Sequence, residues 1–291
     1  MINSKDILRQ SSHGYCDMVA VKTNEYTNLN GKKEKIIEKV ADGSIIVRFD
    51  KTPNPKEKQD VVCPHFLELK WAYGCPYSCS WCYLQGTYRW PQFKKHGSNI
   101  SPKIKDEDKI KKHLEVISQN GYSNILNAGE LADSLMLGWL PRFIKDINIG
   151  NNKILFLSKS DDVKYLIENK DALKDKIIMS FTLNAFKVAK KWEKGAPDVK
   201  RRIEAAKKVF DAGYQTRIRI DPMVPIENWE LDYKKLLDEV FNAFLPERIT
   251  IGSLRGLQST INAAKDKTWV TYLGEKSNWG KKNPIETRFK M

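Results

Sequence analysis

Apolar and polar positions change in short, regular blocks along most of the chain. Phe66-Leu67-Glu68-Leu69-Lys70-Trp71-Ala72 alternates with the period of a strand. Ile154-Leu155-Phe156-Leu157-Ser158 and Ile177-Ile178-Met179-Ser180 are short apolar runs of the kind buried on both faces. Shorter strands are predicted over 44–49, 124–127, 216–220 and 248–252. Helical spacing separates them over 110–119, 161–168, 199–212 and 232–242, with a turn at Asn120-Gly121 and a stop at Gly213. Strand and helix therefore alternate, which predicts an α/β fold of parallel strands covered by helices. An open or closed barrel fits this order better than a sandwich, and in such barrels chemistry gathers at the C-terminal ends of strands.

The same pattern divides the chain. Lys51-Thr52-Pro53-Asn54-Pro55-Lys56-Glu57-Lys58 reads as a linker. It sets off a small N-terminal extension, 1–60, from a core over 61–256. Residues 257–291 hold few apolar runs and several Lys and Arg, and are read as a basic surface appendage or partner-binding arm.

Composition narrows the class. With 291 residues and 41% hydrophobic content the chain suits a soluble globular protein. No run of about 18 apolar residues is present, which argues against a membrane span. The first residues lack the apolar stretch of a signal peptide, so a cytoplasmic location is expected. Fifty Lys and Arg face thirty-six Asp and Glu, a formal charge of +14. Such a surface attracts polyanions, and nucleic acid is the natural candidate. Basic residues gather at Lys94-Lys95, over 103–112, at Lys200-Arg201-Arg202 and at Lys207-Lys208, with Tyr88, Trp90 and Phe93 nearby to stack bases. Solvated helix faces and packing of the aromatics are the plainer reading of the same residues.

Five cysteines occur, an odd number, and three fall in Gly74-Cys75-Pro76-Tyr77-Ser78-Cys79-Ser80-Trp81-Cys82-Tyr83. The C-x3-C-x2-C spacing lets three thiolates hold three irons of a cubane and leaves the fourth iron without a protein ligand. A structural zinc is the competing reading, with Cys63 or His65 as fourth ligand, in a zinc-stabilised nucleic-acid-binding protein.

This loop, with an aromatic directly after its third cysteine, resembles the signature of the radical S-adenosylmethionine (SAM) superfamily. Further stretches resemble its spore photoproduct lyase-like branch: Gly129-Glu130-Leu131-Ala132-Asp133-Ser134-Leu135, Ser180-Phe181-Thr182-Leu183-Asn184, Trp192-Glu193-Lys194-Gly195-Ala196-Pro197, Arg201-Arg202-Ile203-Glu204-Ala205-Ala206, Arg219-Ile220-Asp221-Pro222-Met223-Val224-Pro225 and Ile251-Gly252-Ser253-Leu254-Arg255. The resemblance implies a partial (β/α)6 TIM-like barrel. It implies a [4Fe–4S] cluster on Cys75, Cys79 and Cys82, with SAM on the open iron. It also implies an electron donor such as flavodoxin or ferredoxin, and nucleic acid, DNA ahead of RNA, as substrate. Tyr83 would lie near the adenine and help relay hydrogen, and Gly129-Glu130 would meet the SAM amine. Lys159 and Ser180 would meet its carboxylate or ribose, with Asn184 as a further polar contact. Arg219 and Asp221 would face SAM or substrate, and Arg255 could reach a phosphate or carboxylate.

The pattern also departs from the family. The lyase returns hydrogen from a cysteine in the region of Gly129-Glu130-Leu131, where this chain has Glu130. It carries tyrosine before its third cluster cysteine, where this chain has Trp81. Cys63 and Cys16 are the remaining candidates for a donor, both outside the matching stretch. The expectation is therefore a radical SAM isomerase or modifying enzyme acting on a thymine-derived DNA base or its side chain. RNA, peptide or small-metabolite substrates, and lyase-type DNA repair, stand as alternatives.

Overall fold

The computed structural model describes residues 21–27, 31–49, 66–87, 102–121, 123–277 and 280–291. The expected linker over 51–58, Cys16, Cys63, His65, Tyr88, Trp90, Phe93, Lys94 and Lys95 lie outside them. Nine strands form one sheet in chain order: β1 (Val21–Thr27), β2 (Lys33–Val40), β3 (Ile46–Phe49), β4 (Phe66–Leu69), β5 (Ile125–Asn127), β6 (Lys153–Ser158), β7 (Ile177–Thr182), β8 (Gln215–Met223) and β9 (Ile249–Ser253). Strands β1 to β4 pair antiparallel, so the leading strands extend the core sheet. Strands β4 to β9 are parallel throughout. Their order never reverses, as it would in a doubly wound sheet, so the winding is that of a barrel. Among the described residues β9 pairs only with β8, and the barrel is left open there.

Helices fill the crossovers: α1 (Glu107–Ser118), α2 (Trp139–Asp146), α3 (Lys164–Glu168), α4 (Phe186–Trp192), α5 (Val199–Asp211) and α6 (Trp229–Ala243). α1 buries Ile110, Leu114 and Ile117 on one stripe, and the Asp106 carboxylate caps its start by accepting from the Lys109 amide at 2.8 Å. Asp198 caps α5 in the same way through the Arg201 amide, and Gly213 (φ +86°) follows its end. Lys176 Nζ donates to the carbonyls of Ile144, Lys145 and Ile147, which occupies acceptors at the end of α2.

Register assigns each strand residue to a face, because side chains alternate with period two. Leu67, Leu126, Ile154, Phe156, Ile177, Met179, Phe181, Ile218 and Ile220 share one face and belong to a single core with the helices. Glu68, Asn127, Ser180, Thr182, Arg217, Arg219 and Asp221 share the other. The helix-covered face is largely apolar, and the inner face of the partial barrel carries these polar groups beside Leu155, Leu157 and Ile178.

Several details differ from expectation. The strand begun at Phe66 stops at Leu69, where Trp71 leaves to stack on Trp139 and donate to the Ala128 carbonyl. The strand expected over 177–180 runs to Thr182, so Ser180 is not its last residue. α2 and α4 have no counterpart among the predicted helices. α2 starts behind Leu137 and Gly138, both left-handed (φ 60° and 59°), which interrupts its periodicity. The C-terminal segment adds strands Glu275–Ser277 and Gly280–Lys282 to Arg255–Leu257 in a three-stranded sheet and buries Trp269 completely. No helix among the described residues is long and apolar enough to cross a membrane.

Candidate active site

The cysteine loop leaves the C-terminal end of β4 and is pinned from several sides. Gly74 (φ +95°) donates its amide to the Leu131 carbonyl at 3.1 Å, in a conformation that favours glycine. Ser78–Cys79 pairs antiparallel with Glu193–Lys194, which puts Cys79 opposite Glu193. The Ser80 amide donates to the Trp192 carbonyl at 2.8 Å. Gln85 Nε2 donates to the carbonyls of Cys79 and Ser80. Trp81 is buried beside Trp192, with ring centroids 5.7 Å apart.

Cys75, Cys79 and Cys82 are all free thiols. Burial pushes each thiol up, Cys79 to about 12, so bare thiolates are disfavoured here. Among the described residues no three His, Cys, Asp or Glu side chains converge closely enough to ligate one ion. A cubane makes no such demand, because each thiolate takes its own iron. The loop thus fits an iron–sulfur cluster with one iron left to another ligand.

A second wall follows β5. The Tyr83 hydroxyl donates to the Glu130 backbone carbonyl and ties the cysteine loop to this wall. Asn127 organises the turn: its Nδ2 donates to Glu130 Oε1 at 2.9 Å, and its Oδ1 accepts from the Gly129 amide at 2.9 Å. A Cβ on Gly129 would lie 2.3 Å from Leu157 Cβ, so the close approach of this turn to β6 requires glycine. Asp133, buried, accepts from Ser158 Oγ and from the amides of Leu135 and Lys159. Burial raises its carboxyl despite those bonds.

Lys159 follows β6. Its Nζ lies 3.8 Å from Glu193 Oε1. Glu193 Oε2 takes Arg202 Nη1 at 2.5 Å, and both side chains are buried. Arg202 also donates to the carbonyls of Thr182 and Pro197. Burial works against the Lys159 ammonium, but the charges of Glu193 and Cys79 outweigh it and its pKa rises. Lys159 acts electrostatically on Cys79 and Cys82 at one end and on Asp221 at the other. At that other end Asp221 Oδ2 pairs with Arg219 at 2.5 Å and with Arg255 at 3.4 Å. Burial would raise the Asp221 carboxyl, yet the two guanidiniums hold it below the usual range. Gly252 makes room for that carboxylate: a Cβ there would lie 2.6 Å from Asp221 Oδ1.

The structure therefore brings the three cysteines, Tyr83, Gly129, Glu130 and Lys159 to one end of the barrel. Ser180, Arg219 and Asp221 stand on the polar inner face. Asn184 does not join them. It is fully buried, its Nδ2 donates to the Pro222 carbonyl, and its Oδ1 accepts from the Tyr233 hydroxyl and the Ala185 amide. Its place among the SAM contacts gives way to a structural one. Sequence reasoning missed Asn127, Thr182 and the Glu193–Arg202 pair. Parity along β5 and β7 was the available signal for the first two.

Comparison with known proteins agrees with this geometry. The family model for spore photoproduct lyase matches residues 18–253. Spore photoproduct lyase of Bacillus subtilis (strain 168) is 26% identical over 234 residues, covering 78% of this chain and 64% of that protein. The enzyme of Clostridium acetobutylicum is 23% identical over 243 residues, covering 80% and 68%. The chain thus spans about two thirds of the length of these relatives. Among solved structures, spore photoproduct lyase complexed with dinucleoside spore photoproduct superposes with a TM-score of 0.62 at 20% identity, covering 77% of this chain and 70% of that one. A variant of the lyase with bound AdoMet and dinucleoside spore photoproduct gives 0.59 at 19% identity, covering 78% and 70%. These likenesses show the radical SAM type of partial barrel, and the family match over most of its length places this chain in the spore photoproduct lyase family.

Proposed function

We propose that the chain is a radical SAM enzyme that holds a [4Fe–4S] cluster on Cys75, Cys79 and Cys82 and takes hydrogen from a thymine-derived group in nucleic acid, DNA ahead of RNA. One observation carries this reading. A three-thiol loop faces, across Lys159, a polar barrel wall that ends in a carboxylate between two arginines. When bound, the cluster and SAM supply a 5′-deoxyadenosyl radical by reductive opening of the C5′–S bond, with the electron drawn from a flavodoxin or ferredoxin.

The chain's own residues then divide the work. Glycine at 129 lets its turn close on Leu157, and the turn so placed offers acceptors to the amine of SAM. Lys159 offers a cation to its carboxylate, and Ser180 a hydroxyl to its ribose. Tyr83 joins the cysteine loop to the Glu130 turn and so fixes both sides of the cofactor at once. Trp71 and Trp81, both buried, keep water from this end of the barrel. Arg255, half exposed beside Asp221, is placed for a substrate phosphate.

Glu130 at the lyase's donor region favours an ending without a cysteine hydrogen donor, either isomerisation with return of hydrogen from 5′-deoxyadenosine or net modification of the base. The second reading, reversal of a thymine photoproduct, is supported by the family match itself. Anaerobically reconstituted protein, SAM and dithionite are to be mixed with a thymine-containing oligonucleotide and, separately, with dinucleoside spore photoproduct. An altered oligonucleotide supports the first reading, with 5′-deoxyadenosine accumulating for net modification and not for isomerisation, and released thymidines support the second. Iron-loaded protein that alters neither substrate and yields no 5′-deoxyadenosine with either refutes both. Cys79→Ala is expected to lose cluster and product together.

A further inference from the structure

Residues 258–272 lie beyond the stretch that the family model matches, yet they close on the cysteine loop. The turn Leu84–Thr87, directly after Cys82, rests on the helix Gln258–Ala263. A Cβ on Gly86 would lie 2.7 Å from the Thr260 amide nitrogen. Three residues past that helix, Asp266 Oδ2 accepts from the Ser80 hydroxyl at 3.2 Å. Asp266 Oδ1 accepts from both the amide (2.9 Å) and the hydroxyl (2.6 Å) of Thr268. Thr268 Oγ1 in turn accepts from Trp192 Nε1 at 2.8 Å. The Trp192 carbonyl accepts from the Ser80 amide, which closes the circuit where it began. Each hydroxyl in this ring donates in one direction only, and the carboxylate is its terminal acceptor. Trp269, fully buried, anchors the segment and donates to the Asp266 carbonyl.

We infer that Asp266 and Thr268 are positioning residues for the cluster, a clasp from the C-terminal segment that fixes Ser80 and thereby the spacing of Cys79 and Cys82. This rests on the cluster reading given above. Ser80 sits between two of the three ligands and is held at both its amide and its hydroxyl, so the clasp acts on the ligands without touching iron. Groups that orient metal ligands in this way are worth about 10–100-fold in metal retention, and hydrogen bonds around the ligands also tune a cluster's potential.

The test compares breaking and sparing variants of the whole chain. Thr268→Val keeps shape but removes the hydroxyl, and Asp266→Ala removes the carboxylate. Thr268→Ser keeps the hydrogen bonds. Lys176→Met serves as control, because it loosens a remote helix end. Before reconstitution, peptide-resolved alkylation with iodoacetamide reads the freedom of Cys79 and Cys82. After reconstitution, iron release to a chelator and the electron paramagnetic resonance (EPR) spectrum of the reduced cluster read the site itself. The clasp predicts faster alkylation, roughly tenfold faster iron loss and an altered EPR spectrum in the two breaking variants. The sparing variant and the control should match wild type. Breaking variants that match wild type overturn the clasp, as does a control that shows the same changes. If wild type takes up no cluster, the parent reading fails, while the alkylation rates still decide the clasp.

Discussion

Two carboxylates of the candidate site, Glu193 and Asp221, are each held between two cations, and they live in opposite surroundings. Glu193 lies behind the cysteine loop, 0% exposed, between Arg202 (1%) and Lys159 (17%). Asp221 lies at the open end of the barrel, 13% exposed, between Arg219 (31%) and Arg255 (51%). The dry group cannot trade partners with water, so loss of either charge leaves the other stranded. The open group keeps one firm partner, Arg219, and one long contact, Arg255, which a ligand can borrow at small cost. Similar chemistry thus serves as framework in one place and as a receptive edge in the other.

Breaking the dry group should have the largest effect. Arg202→Met leaves Glu193 buried without its main partner and is expected to cost about 3–5 kcal/mol, read as a loss in urea midpoint. Arg202→Met with Glu193→Met should recover much of that, since a buried pair replaced by apolar groups is often near neutral. If the single variant unfolds no more readily than wild type, the contrast fails.

The open group should respond to acid instead. Two arginines depress the Asp221 carboxyl below its reference value of 3.8. Its stabilisation is then complete above that value and is lost as pH falls through the lower, folded pKa. Asp221→Asn should flatten this acid limb in stability measured between about pH 2 and pH 5. Arg255→Ala should change stability least, within about 0.5 kcal/mol, because the pair is half exposed. Its effect belongs to nucleic acid binding: the slope of log K against log salt should fall by about 0.7–0.9, the loss of one phosphate contact. An unchanged slope would remove Arg255 from the substrate side.

Much of this contrast was hidden in the sequence, for definable reasons. The strands at Lys153–Ser158 and Ile177–Thr182 were legible because buried parallel strands leave short apolar runs between turns. The cysteine loop was legible because its three ligands fall within one local spacing. Arg202 and Glu193 are nine residues apart across two elements, so no helical or strand period relates them. Ser80 and Asp266 are 186 residues apart, and they meet through tertiary packing that includes the buried Trp269. Asn184 misled because a polar residue near a strand end looks the same whether it faces a ligand or fastens a neighbouring turn. The C-terminal segment misled because its core contact comes from a 3-10 turn, Thr268–Tyr272, and a three-stranded sheet with little apolar periodicity.

The parity of the inner strands bears on how such a chain can change over generations. One residue inserted into Lys153–Ser158 or Ile177–Thr182 would turn Phe156 or Phe181 toward the inner face and Ser180 toward the helices. Two residues would preserve parity but displace Lys159 from Glu193 by about 7 Å along the strand. Insertions are therefore expected to be tolerated in the crossovers and to disrupt the site when they fall in these strands.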